Sequence, residues 1–289
     1  MKLELHGRLP HKLSLRWGKT FNASSGNMIG HLLKTEIKTF VKFQVRGTFL
    51  ESLARLIWDL INPPSSDIII SRQDDIYMTQ IISRVLAKDS NCIDVGCYDG
   101  EFLSLMLRLA PLGYHHAFEP IPRLAKRIKQ KFSGIDIRQI ALSDSEQEVD
   151  FHSVISKSAY SGLQKRTYPD PMEVVEVIKV PPQKLDDLLT PDLRIHLIKV
   201  DVEGSELLAF KGAIRTLKTY NSYVLFEHGR GAADHYATTP EMIYELLVNE
   251  CNLKLFRLKD WLENLSPLSL QDFICIYEHG SIWNFLATP

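Results

Sequence analysis

The stretch Asn91-Cys92-Ile93-Asp94-Val95-Gly96-Cys97-Tyr98-Asp99-Gly100 decides the fold prediction. Its first five residues read as a short buried strand, and the glycine turn that follows opens an apolar helix over residues 101–109. Gly96 and Gly100 let the backbone turn tightly and approach a ligand without a Cβ clash. The amides at the start of the helix can bind an anionic group. This order predicts the first unit of an α/β fold, with a ligand site at the turn.

Strand and helix signals continue to alternate on both sides of this stretch. Further strands are predicted over residues 116–118, 135–140, 149–154, 174–180, 197–200, 223–226, 253–258 and 273–277, with helices between most of them. Alternation of this kind predicts a mostly parallel sheet with helices on both faces. In such a sheet the ligand lies at the carboxyl ends of the strands.

Acidic residues follow the second and third predicted strands. Glu119 ends the second strand, where a carboxylate can accept hydrogen bonds from a ribose diol; the alternative is a solvated strand-end carboxylate. Asp144 follows the third strand, where a carboxylate can accept an amino proton of a nucleotide base, or it caps the turn before Glu146. The glycine spacing is not G-x-G-x-x-G, so a nicotinamide dinucleotide fits imperfectly.

Six motifs that follow one another along the chain together resemble the FkbM family of S-adenosylmethionine-dependent methyltransferases. They are Asp94–Gly100, Phe118-Glu119-Pro120, Ala141–Asp144, Lys184–Leu189, Lys199–Glu206 and Phe226–His228. The resemblance covers about residues 91–277. It implies a Rossmann-like class I methyltransferase fold, a seven-stranded, mostly parallel sheet with an antiparallel strand inserted by the last hairpin. It also implies S-adenosylmethionine as cofactor, held by Asp94, Gly96, Tyr98, Gly100, Glu119 and Asp144.

Methyl transfer to a hydroxyl needs in-line positioning and a base that removes the acceptor's proton. Asp201, Glu227 and His228 lie at the ends of two successive predicted strands and are the predicted catalytic residues. Alternatively, the same three side chains hold a divalent cation, which is not the favoured interpretation. Glu203 or Glu206 can instead serve the first turn of the following helix.

The favoured function is O-methylation of a hydroxyl on a sugar, glycan or natural product, with N-methylation left open. Two other classes compete. Asp201-Val202-Glu203 also suits the acidic motif of a metal-dependent glycosyltransferase, although the glycine turn would then have no role. The second is a cofactor-binding module without catalytic activity. Loss of the acidic cluster would indicate such a module, but the cluster is present in this sequence.

The charge composition indicates which classes of partner the chain can attract. Lys plus Arg number 34 against 35 Asp plus Glu, a net charge of −1, so the chain has no overall field that attracts nucleic acid. Residues 1–66 are predicted as a helical accessory arm and 67–289 as the methyltransferase domain. Residues 1–62 carry ten Lys/Arg and four Asp/Glu, so contact with a membrane surface stays an alternative to packing on the domain. The sequence predicts no signal peptide and contains no C-x-x-C pair of cysteines. The expected location is cytoplasmic.

Overall fold

A computed structural model describes residues 59–166, 168, 172–190 and 192–289. Residues 66–289 form one compact unit. The predicted arm, 1–66, falls outside the described residues except for 59–66, and its boundary stays a prediction. In the part of the chain that is described, no helix is both long and apolar enough to cross a bilayer.

Eleven strands are present in the described residues. In chain order they are β1 Cys92–Val95, β2 His115–Phe118, β3 Asp136–Arg138, β4 Ala141–Leu142, β5 Val149–Val154, β6 Val175–Val180, β7 Pro182–Gln183, β8 Leu197–Val200, β9 Tyr223–Glu227, β10 Lys254–Arg257 and β11 Asn284–Thr288. Seven form the central sheet in the order β10-β11-β9-β8-β1-β2-β3. Strand β11 runs antiparallel to β9 and β10, and the other neighbours pair in parallel. This is the predicted class I methyltransferase sheet, and it is confirmed.

The helices cover both faces of the sheet. They are α1 Ser66–Val85, α2 Glu101–Leu109, α3 Pro122–Lys131, α4 Leu185–Leu188, α5 Glu206–Lys211, α6 Ile214–Tyr220, α7 Pro240–Tyr244, α8 Leu258–Leu262 and α9 Leu270–His279. A π-helical segment, Glu245–Glu250, continues α7.

Side chains alternate across the central strands, and each face has its own apolar core. Ile93 and Val95 of β1 pack with Ile198, Val200 and helix α5 on one face. On the other face, Cys92 and Leu197 pack with residues of α1, α2 and α8. Burying one such aliphatic side chain contributes about 1.5–3 kcal/mol. Strand β1 is therefore clamped from both sides, and its carboxyl end is held in place.

The predicted strand over residues 273–277 is wrong, because this segment lies within α9. Ser269 and Asp272 form a reciprocal capping box at the start of α9, and Gly280 ends it in a left-handed conformation. Those two signals outweigh the apolar run Phe273–Tyr277. The last strand is β11, nearer the carboxyl terminus.

The β-like runs 149–154 and 174–180 pair as an antiparallel hairpin, β5–β6, beside the central sheet. The first part of their connection, residues 155–166, includes a short 3₁₀ turn over Ser158–Tyr160. We call residues 155–166 the hairpin loop. It reaches the carboxyl ends of the central strands, where the candidate site lies.

Candidate active site

The glycine turn after β1 is tightly packed against β8. Gly96 has φ of 73°, and its amide donates to the carbonyl of Phe118 at 2.9 Å. A Cβ at position 96 would lie 1.8 Å from the carbonyl oxygen of Asp201. Gly100, with φ of 74°, directly precedes α2. Glycine is therefore required at position 96 by both conformation and space.

Glu119 is held by two backbone amides at the end of β2. Its Oε2 accepts from the amide of Tyr98 and its Oε1 from the amide of Ile121, both at 3.0 Å. Burial raises the pKa of Glu119 to about 7, although the two hydrogen bonds oppose the shift. Each carboxylate oxygen keeps a free lone pair. Glu119 is thus a fixed acceptor and not a solvated strand-end carboxylate.

A cavity of about 170 Å³, which opens to solvent, is lined by the glycine turn and Glu119. Much of its wall is apolar, from Ile121, Leu124, Ile140, Ala141, Leu142 and Phe151. A buried carboxylate beside an apolar slot suits a ribose with an attached base.

The predicted cofactor residues divide into two groups. Gly96, Tyr98 and Glu119 line the cavity, whereas Asp94, Gly100 and Asp144 do not. Asp144 instead accepts a hydrogen bond from the hydroxyl of Ser143 at 3.3 Å, which fits the turn alternative. The apolar residues before it, Ala141 and Leu142, face the cavity.

Asp94 lies on β1 beside a buried cation that the sequence analysis missed, Lys199 of β8. The Nζ of Lys199 is 3.0 Å from Oδ2 of Asp201. Burial disfavours the charged amine, but Asp201 and Asp94 outweigh it and keep the pKa of Lys199 above its usual value. Burial raises the pKa of Asp94 to about 6 against the pull of Lys199. A lysine within the apolar strand Leu197–Val200 was the available signal.

Three further carboxylates come from the segment after β8 and from the end of β9. Glu206 accepts hydrogen bonds from the amides of Val202 and Gly204, at 3.2 and 3.0 Å, so it serves the turn before α5, as one alternative predicted. Glu203 pairs with Arg166 at 2.6 Å. Glu227 is half-buried; burial and then repulsion from Asp201 hold its pKa well above the usual range.

The sequence that builds this site matches a known protein family. A sequence model of the Methyltransferase FkbM domain matches residues 94–255, which is more than half of the chain. The chain belongs to this methyltransferase family. The match includes the glycine turn, Glu119 and all three predicted catalytic residues.

Individual relatives share only a small fraction of identical residues with this methyltransferase. The 2-O-methyltransferase NoeI of Sinorhizobium fredii (strain NBRC 101917 / NGR234) is 28% identical over 172 residues, 54% of this chain and 68% of that protein. The crystal structure of methyltransferase FkbM from Methylobacillus flagellatus KT aligns with a TM-score of 0.42 and 13% identity. That alignment covers 71% of this chain and 44% of the other, so this chain spans less than half of it. A TehB-like methyltransferase from Corynebacterium glutamicum aligns with a TM-score of 0.36 and 12% identity, over 78% and 97% of the two chains.

The structure brings only part of the predicted catalytic group of this methyltransferase together. Asp201 lines the cavity, and Glu227 is close enough for their charges to interact. His228 lies off the cavity wall and is only 1% exposed. Its ring stacks on Tyr277 at 5.0 Å, and neither ring nitrogen has a hydrogen-bond partner among the described residues. Burial lowers the pKa of His228 to about 4.

The arrangement at the strand ends does not resemble a cation site. In the described part of the chain, no three His, Cys, Asp or Glu side chains converge in a way that could hold a metal ion. Asp201 and Glu203 each face their own cation, Lys199 and Arg166. What the site offers chemically is two carboxylates near a cavity: Asp201, which pairs with Lys199, and Glu227, whose pKa burial raises well above its usual range.

Proposed function

We propose that this methyltransferase uses S-adenosylmethionine to methylate a hydroxyl oxygen of a sugar, glycan or hydroxylated natural product. The observation that carries the proposal is Glu119, a buried carboxylate fixed by two amides in the wall of the cavity. A diol is the group that can use both of its remaining lone pairs.

The residues present fit the cofactor along its length. Glu119 would hold the ribose hydroxyls, and the apolar slot between Ile121 and Leu142 would hold the adenine. The glycine turn would face the amino-acid portion, with Gly96 allowing close approach of the backbone. When bound, S-adenosylmethionine supplies a methyl group already activated by its sulfonium.

The protein's own contribution is to position the acceptor and take its proton. Asp201 is the proposed base, because it lines the cavity and the ammonium group of Lys199 holds its carboxylate in place at 3.0 Å. The Asp201 carboxylate would take the hydroxyl proton of the acceptor as its oxygen is methylated. Glu227, with its raised pKa, is the alternative proton acceptor.

Two observations support a hydroxyl acceptor. The relative NoeI is named as a 2-O-methyltransferase, so oxygen is the acceptor atom in that protein. The cavity also carries the hydroxyls of Ser158 and Ser161, from the hairpin loop, which can hydrogen-bond a polyhydroxylated acceptor.

The test is a transfer assay with S-adenosylmethionine labelled on its methyl group. The acceptors are a panel of sugar glycosides, oligosaccharides, hydroxylated aromatic compounds and primary amines. We expect label in one hydroxylated class, in an ether that resists mild base, and none with the Asp201→Asn protein. Label only in amines, or equal transfer by Asp201→Asn, would contradict the proposal.

A further inference from the structure

Arg166 binds two separate loops from its position in the hairpin loop. Its Nη1 lies 2.6 Å from Oε2 of Glu203, after β8. Its Nε and Nη2 both donate to the carbonyl of Gly231, after β9, at 3.2 and 3.0 Å. The guanidinium carbon is 5.4 Å from the centre of the Tyr160 ring. One side chain therefore fastens three connections at the same end of the sheet.

Tyr236 supports the same junction. Its hydroxyl accepts the amide hydrogen of Gln164 at 3.0 Å. Its ring packs so closely on Gly204 that a Cβ there would lie 3.0 Å from it. Gly204 also approaches the carbonyl of Ala232, at 2.4 Å from the same hypothetical Cβ. The loops after β8 and β9 are thus packed together where Arg166 binds them.

The hairpin loop forms a wall of the cofactor cavity. Ser158, Ser161 and Leu163 line it, together with Val202 and Glu203 from the loop after β8. At its other end, Arg123 of α3 donates to the hydroxyl of Ser158. The position of this wall depends on the contacts at both ends, and Arg166 makes the ion pair.

Arg166 has little capacity left for a ligand. Only 9% of its side chain is exposed, and each of its three nitrogens already donates to Glu203 or Gly231. A planar guanidinium can satisfy two acceptors on different segments at once, which an ammonium group does less well. These contacts fit a role in positioning rather than in contact with the acceptor.

We propose that Arg166 is a positioning residue that ties the hairpin loop to Glu203 and Gly231, and so sets the wall that retains the cofactor. The proposal rests on the proposed use of S-adenosylmethionine. In this arrangement Glu203 serves the position of the loop through its pairing with Arg166.

The experiment compares Arg166→Met, Arg166→Lys, Glu203→Gln and the double variant Arg166→Met/Glu203→Gln. Calorimetry gives the Kd for S-adenosylhomocysteine, and limited proteolysis reports on the hairpin loop. Lys179→Met is the matched control, because Lys179 pairs with Asp150 on the same hairpin but both side chains are more than half exposed.

We expect Arg166→Met to raise the Kd at least tenfold and to expose residues 155–166 to cleavage. Arg166→Lys should recover part of the affinity, and the double variant should be no worse than Arg166→Met alone. Lys179→Met should match the wild type. An unchanged Kd and cleavage pattern in Arg166→Met would overturn the proposal. If Arg166→Met does not fold, Arg166→Lys and Glu203→Gln decide by the same readouts.

The two proposals fail in different ways. If wild-type protein binds neither S-adenosylmethionine nor S-adenosylhomocysteine, the proposed function fails. Cleavage of the hairpin loop in Arg166→Met against wild type needs no ligand, so it still decides whether Arg166 holds the wall.

Discussion

The amide of Tyr98 donates a 3.0 Å hydrogen bond to Oε2 of Glu119. This bond joins the glycine turn after β1 to the carboxylate after β2. Because Gly96 also donates to the carbonyl of Phe118, the two strand ends form one connected surface. The proposed cofactor site is thus held by hydrogen bonds within the protein itself, which reduces the ordering that binding would require.

Asp201 and His228 can be distinguished by turnover. Asp201→Asn should lower kcat by about 10²–10⁴, the usual contribution of a general base, with little change in cofactor affinity. His228→Phe should keep kcat within about threefold, because a phenyl ring preserves the stack on Tyr277. The measurement is steady-state kinetics with the acceptor found in the labelling assay. Loss of kcat in His228→Phe with Asp201→Asn unaffected would reverse the assignment.

Lys199 should matter for stability as well as for the site. Lys199→Met leaves Asp94 and Asp201 without their cation, and because Asp201 is 37% exposed, we expect a loss of about 3 kcal/mol, the lower end for a buried pair. Lys218→Met is the control, since Lys218 and Glu250 form an exposed pair. That control should cost less than about 1 kcal/mol. Urea unfolding checks both, and equal costs would contradict the burial argument.

Gly96→Ala combines an unfavourable φ with a clash. Gly134 provides the control, because its φ of 82° is also positive but a Cβ there meets nothing within 4 Å. We expect Gly134→Ala to cost about 1–2 kcal/mol from conformation alone. Gly96→Ala should cost clearly more and weaken cofactor binding, because Asp201 must move. Similar costs in thermal unfolding would indicate that the turn accommodates the methyl group.

Stability should fall as the pH rises from 6.5 to 8. Burial raises the pKa values of Glu119 and Glu206 to about 7, from an ordinary value near 4.5. These carboxyls bind protons more tightly in the folded than in the unfolded chain. The free energy of unfolding therefore falls as the pH rises through their folded-state pKa values. Below pH 6.5 the comparison is less direct, because protonation of His228 in the unfolded chain acts in the opposite direction.

Thermal or urea unfolding at the two pH values measures this effect. Glu206→Gln keeps an oxygen for the amides of Val202 and Gly204 but cannot ionise. It should flatten the pH dependence and, at pH 8, stabilise the protein by on the order of 1 kcal/mol. Stability that rises from pH 6.5 to 8 in the wild type would contradict these shifts.

The local parts of the site were predictable from the sequence. The glycine turn and Glu119 each follow a short, largely buried strand, and the sequence predicted both strands and so placed both groups at strand ends. Lys199 and Asp201 are two residues apart on one strand and its end, and side chains at that spacing share a face. Their pairing could therefore be predicted from the sequence.

The same alternation explains why His228, which was predicted as catalytic, lies away from the cavity. Neighbouring residues in a strand point to opposite faces, so Glu227 approaches the carboxylates while His228 turns toward Phe273 and Tyr277. Arg166 and Glu203 are 37 residues apart, and the path of a long loop leaves no periodic signal. Their pairing required the structure.

The central claim is that Glu119 and the glycine turn bind S-adenosylmethionine, and calorimetry tests it most directly. Wild type, Glu119→Ala and Glu119→Gln would be titrated with S-adenosylmethionine, S-adenosylhomocysteine and NAD, with and without EDTA. We expect saturable binding of both sulfur nucleotides but not NAD, at least a tenfold loss of affinity in Glu119→Ala, a smaller loss in Glu119→Gln, and no effect of the chelator. NAD binding by the folded wild type, or equal affinity of Glu119→Ala for S-adenosylhomocysteine, would contradict the account.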